Sequence, residues 1–567
     1  MSMSYPTMRG HTIGRALLGA CALVAMAAPA MAREQARDSD SREKSRTSGG
    51  ARTEIVPYLE VGQVLVAELE PGSEVLTYTT VAAGVDAAIA GRNTEGAVSF
   101  RYERRIGYGR NDASGDVISG LARVASQVIP GTLRIDAGAL AARTRVEASG
   151  GASLNPLATG RDAVSQLYSF YAGPTLTTNL DNVALNAGYK LGYTRLESPN
   201  AVSLAPGQPT PGQARVDVFD DSFSQASTVS AGFRPQVYLP IGLTASAGWA
   251  REDISNLDQR VDEKYARLDA VLPVSLDVAL LAGVGYEDVE ISSRDALRDA
   301  SGAPVFGRDG RFRTDKSAPR QLAYDVDGLI WDAGVLWRPS KRTALEAHIG
   351  RRYGTTSYFG SFAYAPDVRT AINLSVYDNV SGFGSQVRRA LENLPTDFEV
   401  SRNPLSGDLN GCIVARSDGG CVNNALSSVA SATFRGRGIG ASIGHDFGRI
   451  RTGLSGGYER RKFIAAPGTV LALANGVIDE NVFVAATMGA PIDQQSSLNV
   501  NLYANWFQSG LSSTGDATAL GANASYFRRL TDRLTATAAV GVDGIERDVP
   551  LIDQWTASAL FGLRYSL

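Results

Sequence analysis

In QQSSLNVNLYANWFQ (Gln494–Gln508), Leu498, Val500, Leu502, Ala504 and Trp506 alternate with Asn499, Asn501, Tyr503 and Asn505. Successive side chains of a β-strand point to opposite faces, so this stretch reads as a strand with one oily and one polar side. Similar runs fill the chain from Glu54 to Leu567, separated alternately by tight turns and long polar loops. The tight class includes 128–132, 179–182, 239–242, 338–342, 365–369, 447–451 and 529–533. The long class includes 150–164, 197–222, 293–322, 380–427 and 464–478.

Alternating short and long connections put every second turn on the same side. That pattern predicts an all-β fold, a transmembrane antiparallel up-and-down β-barrel with short periplasmic turns and long extracellular loops. Counting runs gives about 22 strands, within a range of about 18–24, the first rising from the periplasm and the last returning to it. A soluble sandwich would need shorter strands and turn signals every 8 to 12 residues or so. Its dry core would also reject the Gly, Ala, Asn, Arg and Glu found on the second face here.

SGGYERRKF (Ser455–Phe463) has near relatives in SAGWAREDI at 246, GVGYEDVEI at 283 and NAGYKLGYTR at 186. In each, the aromatic (Tyr458, Trp249, Tyr286, Tyr189) shares parity with the oily face and follows a tight turn by roughly the length needed to cross the hydrocarbon layer. These four are expected to form an aromatic girdle at the outer membrane interface, with the preceding glycines facing inward. Tyr238, Trp337, Tyr364, Phe447 and Phe527 lie beside short turns, where the periplasmic girdle belongs.

The N-terminus assigns the compartment. Arg9 and Arg15 precede the apolar run Ala16–Ala28, and Ala30-Met31-Ala32 supplies a small-x-small cleavage site, the pattern of a secretory signal peptide over 1–32. Leu18–Cys21 resembles a lipobox, but cleavage there would leave a strongly apolar stretch behind the cysteine. Residues 33–54 are charged and serine-rich and are expected to form a disordered periplasmic leader to a barrel over 55–567. Removing Arg9 and Arg15 with the signal takes the 55 basic residues to 53, against 58 acidic ones. This mild negative balance is no nucleic-acid footprint. Beyond residue 54 no apolar run reaches the roughly 18 residues of a transmembrane helix.

Chemical motifs are sparse, and neither an enzyme nor a cofactor is expected. Two cysteines and two histidines of the mature chain (Cys412, Cys421, His348, His445) make a poor zinc set. Cys412 and Cys421 form its only available cysteine pair, and an oxidising compartment would allow one small disulfide loop. GIGASIG (438–444) has the glycines of a nucleotide loop without a surrounding βαβ unit, so its small residues are read as lumen-facing. His348 shares the inner face with Glu346 and Arg352, an arrangement more often structural than catalytic. The basic pairs Arg104-Arg105, Arg351-Arg352 and Arg460-Arg461 fall late in rising strands, one member facing in and the other out. They are candidates for lumen and rim charge, either contacting lipid phosphates or lining a passage for an acidic polymer.

ASALFGLRYSL at the C-terminus resembles the signal read by the outer-membrane barrel-assembly machinery, through Gly562, Tyr565 and Leu567. It departs from that pattern at Leu567, where Phe is usual, and at Leu560, where a polar residue is preferred. Over 55–567, and best in HIGRRYGTTSYFGSFAYAPDVRTAINLSVYDN (348–379), the chain resembles outer-membrane β-barrel porins found beside exopolysaccharide and exosortase gene clusters in Gram-negative bacteria. That resemblance implies a passive channel in the cell outer membrane exporting an acidic exopolysaccharide; the alternative is a non-conducting barrel supporting a polysaccharide or protein secretion system. Expected partners are outer-membrane lipid and lipopolysaccharide, the assembly machinery and periplasmic polysaccharide-export proteins, with no nucleic acid. A TonB-dependent receptor also uses about 22 strands but requires a globular plug ahead of the barrel, where only the short leader is expected here. So wide a lumen needs narrowing. The insertion 380–427, with its helical VRRALENL (387–394), is read either as a constriction folded over or into the pore or as an external surface loop.

Overall fold

A lipid-spanning sheet can leave no backbone N–H or C=O unpaired, because the hydrocarbon offers no partner, and only closure removes its edges. The computed structural model describes residues 52–567 except 71, 73, 109–113, 147–151, 154–163, 198–216, 397, 399, 401, 410–411, 415–418, 422–428, 511–515 and 548–552; the side chains of 52, 145–146, 152–153, 412–414 and 419–421 are also left undescribed. The signal peptide, its cleavage near Ala32 and nearly all of the leader lie outside these residues.

Twenty-two antiparallel strands form the wall. The first eleven are β1 (Arg52–Glu70), β2 (Val75–Ala90), β3 (Thr94–Tyr108), β4 (Gly115–Ile129), β5 (Leu133–Val146), β6 (Val164–Leu180), β7 (Val183–Glu197), β8 (Asp221–Phe233), β9 (Gly242–Ile254), β10 (Gln259–Pro273) and β11 (Val278–Ser293). The rest are β12 (Gln321–Ser340), β13 (Thr343–Arg352), β14 (Thr355–Asp367), β15 (Thr370–Ser381), β16 (Phe434–Asp446), β17 (Arg451–Phe463), β18 (Ile478–Pro491), β19 (Ser496–Gln508), β20 (Ala517–Arg529), β21 (Leu534–Arg547) and β22 (Gln554–Ser566). Each pairs with its sequence neighbours, and β22 closes on β1 with Gly562 opposite Gly62 and Tyr565 opposite Leu59. The Leu567 N–H donates to the Pro57 carbonyl at 2.9 Å, so the C-terminal residue completes the seam.

The start of β1 and the end of β22 lie at the same rim as the short turns 91–93, 130–132, 181–182, 341–342 and 368–369. Long connections gather at the opposite rim, which is therefore extracellular; 71–74, 255–258 and 353–354 are the short exceptions there. The protein is an outer-membrane β-barrel, surrounded by membrane lipid. Large apolar side chains such as Leu65, Phe100, Phe170, Leu280, Ile349, Leu454 and Phe561 stand exposed on its outer face, as lipid contact requires. About 9–11 residues suffice to cross the hydrocarbon. The ten residues of β13 just do so, whereas the twenty of β12 carry the wall well above the membrane.

Tyr189, Trp249, Tyr286 and Tyr458 all face outward and anchor their polar atoms on neighbouring strands: Tyr189 on Gln225 at 2.8 Å, Tyr286 on Asp327 at 2.6 Å, Trp249 on Asp262 at 3.4 Å and Tyr458 on Glu480. Glycines have a second use here. Gly84, Gly138, Gly248, Gly438 and Gly521 face Tyr58, Tyr171, Tyr265, Tyr377 and Tyr503 directly across the ladder. A Cβ on any of them would fall within the tyrosine ring's contact distance. A ring lying flat over a cross-strand glycine fills the missing side-chain volume and pins the register. Gly248→Leu is therefore expected to destabilise the barrel by about 1–3 kcal/mol in urea titrations. Adding Tyr265→Ala should recover part of that loss; additive losses would show that the ring is not seated on the glycine.

Candidate functional site: a loop that crosses the lumen

The connection between β15 and β16, residues 382–433, runs into the barrel. It begins with α1 (Phe383–Glu392), where Phe383, Val387 and Leu391 repeat at four-residue spacing and fall on one helical face. All three are fully buried against Leu121, Leu140, Leu167, Leu196 and Ile254 from β4, β5, β6, β7 and β9. Phe383 meets Phe219 edge to face, ring centres 4.8 Å apart. The N-terminus of α1 has no cap of its own; instead the Glu252 carboxylate on β9 accepts the Gly382 and Ser385 N–H groups at 2.9 and 3.0 Å. A carboxylate there satisfies otherwise orphaned donors and favours the positive end of the helix dipole.

Beyond α1 the chain reaches the far wall and turns in a tight hairpin. Arg402 bridges Leu409, and the Gly407 N–H donates to the Asn403 carbonyl at 2.7 Å. Gly407 has a φ of +73°, and a Cβ there would run into the Arg101 guanidinium, so this position needs glycine twice over. At the tip, Leu405 is 1% exposed. It wedges among Val64, Val66, Tyr78, Ala539 and Leu560 of β1, β2, β21 and β22.

Polar contacts lock the same hairpin. Arg143 on β5 grips Asp408 with both arms of its guanidinium, at 2.8 and 2.7 Å. Its Nη2 also donates to the Ser406 carbonyl at 3.0 Å, which Arg105 on β3 reaches at 2.7 Å. The Ser119 hydroxyl on β4 donates to the Gly407 carbonyl at 2.8 Å. In a ring of 22 strands, β4 stands half-way round from β15, so the loop spans the whole lumen.

The extracellular mouth is covered as well. Arg311 in 294–320 donates to the Val218 and Phe219 carbonyls at 3.1 and 2.9 Å. Phe312 and Ala296 of that segment pack with Leu257, Ala465 and Leu471. Gln259 holds the returning end of the crossing loop through the Ser431 carbonyl and the Thr433 N–H, at 3.0 and 3.2 Å.

Arg105, Arg352 and Arg461 face inward and Arg104, Arg351 and Arg460 outward. Arg105 is buried with Glu103 at 2.8 Å, Arg461 with Glu459 at 2.9 Å, and Arg352 pairs with Glu263 and with Glu287 at 3.2 Å. Arg104 is half-exposed beside Asp116, 3.0 Å away, Arg460 lies 3.5 Å from Glu480, and Arg351 is exposed. His348 contacts Asp332 and Glu346 at 2.7 and 3.2 Å and stacks on Phe359, so both ring nitrogens are engaged. Gly438, Gly440 and Ser442 share the inward face with Glu459. The backbones of Cys412 and Cys421 pair directly in a short ladder; their side chains, and so the expected disulfide, lie outside the described residues. No group of three or more His, Cys, Asp or Glu gathers to hold a metal among the described residues.

No family model and no curated protein matches the chain. Similar solved structures include the FrpB iron transporter of Neisseria meningitidis, apoprotein form, with 11% identity, TM-score 0.41 and coverage of 90% of this chain and 81% of that one. The siderophore receptor PiuA of Acinetobacter baumannii gives 8%, 0.39, 90% and 82%. The ferric-catecholate import receptor Fiu of E. coli K12 gives 10%, 0.42, 90% and 81%.

The expectation of a passive channel exporting an acidic polysaccharide is corrected by the lumen itself. Within the molecule itself, the lumen is crossed by the chain and the inward arginines are neutralised by adjacent acids rather than left to line an open basic passage. Sequence reasoning missed Glu252, Ser119, Arg143, Leu405 and Asp408. Only Leu405, an apolar residue at the tip of a Pro-Leu-Ser-Gly turn, carried a signal, since a solvent-facing turn has no use for it. Glu252→Ala is expected to loosen α1 by about 1–2 kcal/mol. It should appear as faster hydrogen exchange in 382–394 with unchanged heat-modifiability of the barrel; unchanged exchange would remove Glu252 as the cap.

Proposed function

We propose that the protein is a gated outer-membrane barrel for uptake of a specific solute, closed at rest by its own β15–β16 loop. The observation that carries this reading is the hairpin 402–409, seated half-way round the barrel from its roots and held by Leu405, Arg143, Arg105 and Ser119. A loop that merely decorates the surface gains nothing from such anchorage, whereas a gate needs a well-defined closed state. Uptake is the direction supported, because the loops that close the lumen belong to the extracellular rim and meet solutes from outside first. The likeness to iron transporters and siderophore receptors is weak and carries no ligand over to this chain. The chemistry required is binding and displacement, with no catalytic step.

The outward Arg104, Arg351 and Arg460 sit late in rising strands, where lipopolysaccharide phosphates would offer them bidentate partners. Gly562, Tyr565 and Leu567 are the residues offered to the assembly machinery.

Planar-bilayer recording tests the gate. The intact chain is expected to be closed or to flicker at low conductance. Replacing 383–432 with a short Gly-Ser turn should open steps at least about tenfold larger, as a lumen of this strand number allows. Equal conductance from the two, with both barrels heat-modifiable, would remove the gate.

A further inference from the structure

We propose that the wall under the hairpin is an oxyanion-binding site, and that Asp408 with the Ser406 and Gly407 carbonyls occupies it as a built-in competitor for an acidic solute. This deepens, and rests on, the reading of the loop as a gate. Three donors from three adjacent strands converge on the hairpin: the Arg143 fork on Asp408 at 2.8 and 2.7 Å, Arg105 Nη2 on the Ser406 carbonyl at 2.7 Å, and the Ser119 hydroxyl on the Gly407 carbonyl at 2.8 Å. A guanidinium fork flanked by a second guanidinium and a hydroxyl matches a carboxylate or a phosphate group.

The ion pairing of this wall depends on the hairpin. Glu103 sits between Arg101 and Arg105, with Glu60 3.5 Å from Arg101. Asp136 serves Arg123 at 3.1 Å and Lys190 at 3.8 Å. Asp408 is the sole carboxylate paired with Arg143 among the described residues. Arg402, the hairpin's own cation, docks on the neutral groups Ser99 and Ser119, so its departure leaves no acid of the wall unpaired.

Withdrawing the hairpin therefore takes from Arg143 its carboxylate and both bonds of the fork, and removing one partner of such a hydrogen-bonded charge pair is unfavourable. An incoming oxyanion removes that penalty by taking the place of Asp408. The open state is favoured only by a ligand that binds it better than the closed one. A neutral solute of equal size leaves Arg143 unpaired and the gate shut. The occupant is thus a small solute bearing a carboxylate or a phosphate, and opening is an exchange of one oxyanion for another.

Hydrogen exchange of 402–409 in the full chain, refolded into lipid vesicles and titrated with citrate, inorganic phosphate or glucose, tests this. Citrate, phosphate or both should raise exchange saturably and glucose should not; a response to one alone assigns carboxylate or phosphate as the recognised group. Asp408→Asn, which removes the competitor, should bring the midpoint to about tenfold lower anion concentration. Arg143→Gln should abolish the response, and the outward variant Arg104→Gln should leave it unchanged, heat-modifiability confirming that each barrel is folded. An unshifted midpoint in Asp408→Asn, or a surviving response in Arg143→Gln, would overturn the site. A pore that opens on loop deletion while its hairpin ignores both anions would leave the gate standing and dismiss the oxyanion.

Discussion

Closure of the β1–β22 seam is the constraint on which everything else depends. Inside a bilayer an unpaired strand edge costs several kcal/mol for each unmatched backbone group, so the first and last strands must meet. The ladder from Tyr58–Ser566 to Glu70–Trp555 does this, and the C-terminal Leu567 is held by Pro57. Once the ring is closed, the parity of each strand is no longer free: a slip of one residue would turn lumen charges into lipid and oily side chains into water. Tyrosine rings over cross-strand glycines resist that slip at five places on the inner face.

Closing so many strands creates a second problem, because the ring encloses more interior than its own side chains can fill. Part of the answer is charge arranged to cancel within the wall, as in Arg267–Asp332, with 2.7 Å between them, and Arg352 between Glu263 and Glu287. The rest comes from the chain itself. The β15–β16 connection brings an amphipathic helix and a hairpin into the interior, and the apolar face of α1 turns one side of the lumen into a packed core.

The two anchorages of that loop differ in kind. α1 is held by non-directional apolar burial and one carboxylate cap, contacts that survive small displacements. The hairpin adds to the burial of Leu405 a guanidinium fork and hydrogen bonds from Arg105 and Ser119, which are directional and are lost together when it withdraws. This difference lets a gate hinge at the helix while releasing at the hairpin.

Much of the architecture was legible in the chain alone, because it rests on local rules. Period-two alternation marked the strands, alternating loop lengths assigned the two rims, and parity separated Arg105, Arg352 and Arg461 from their outward neighbours. The outward direction of Tyr189, Trp249, Tyr286 and Tyr458 follows from the same parity. Where the loop goes could not be read this way. Asp408 and Arg143, or Glu252 and the first turn of α1, are distant in sequence and meet only after 22 strands have closed into a ring of definite size. Only the tertiary structure decided that the β15–β16 connection fills the lumen instead of lying outside it, since a contact across a barrel depends on the barrel's diameter and no local pattern encodes that length.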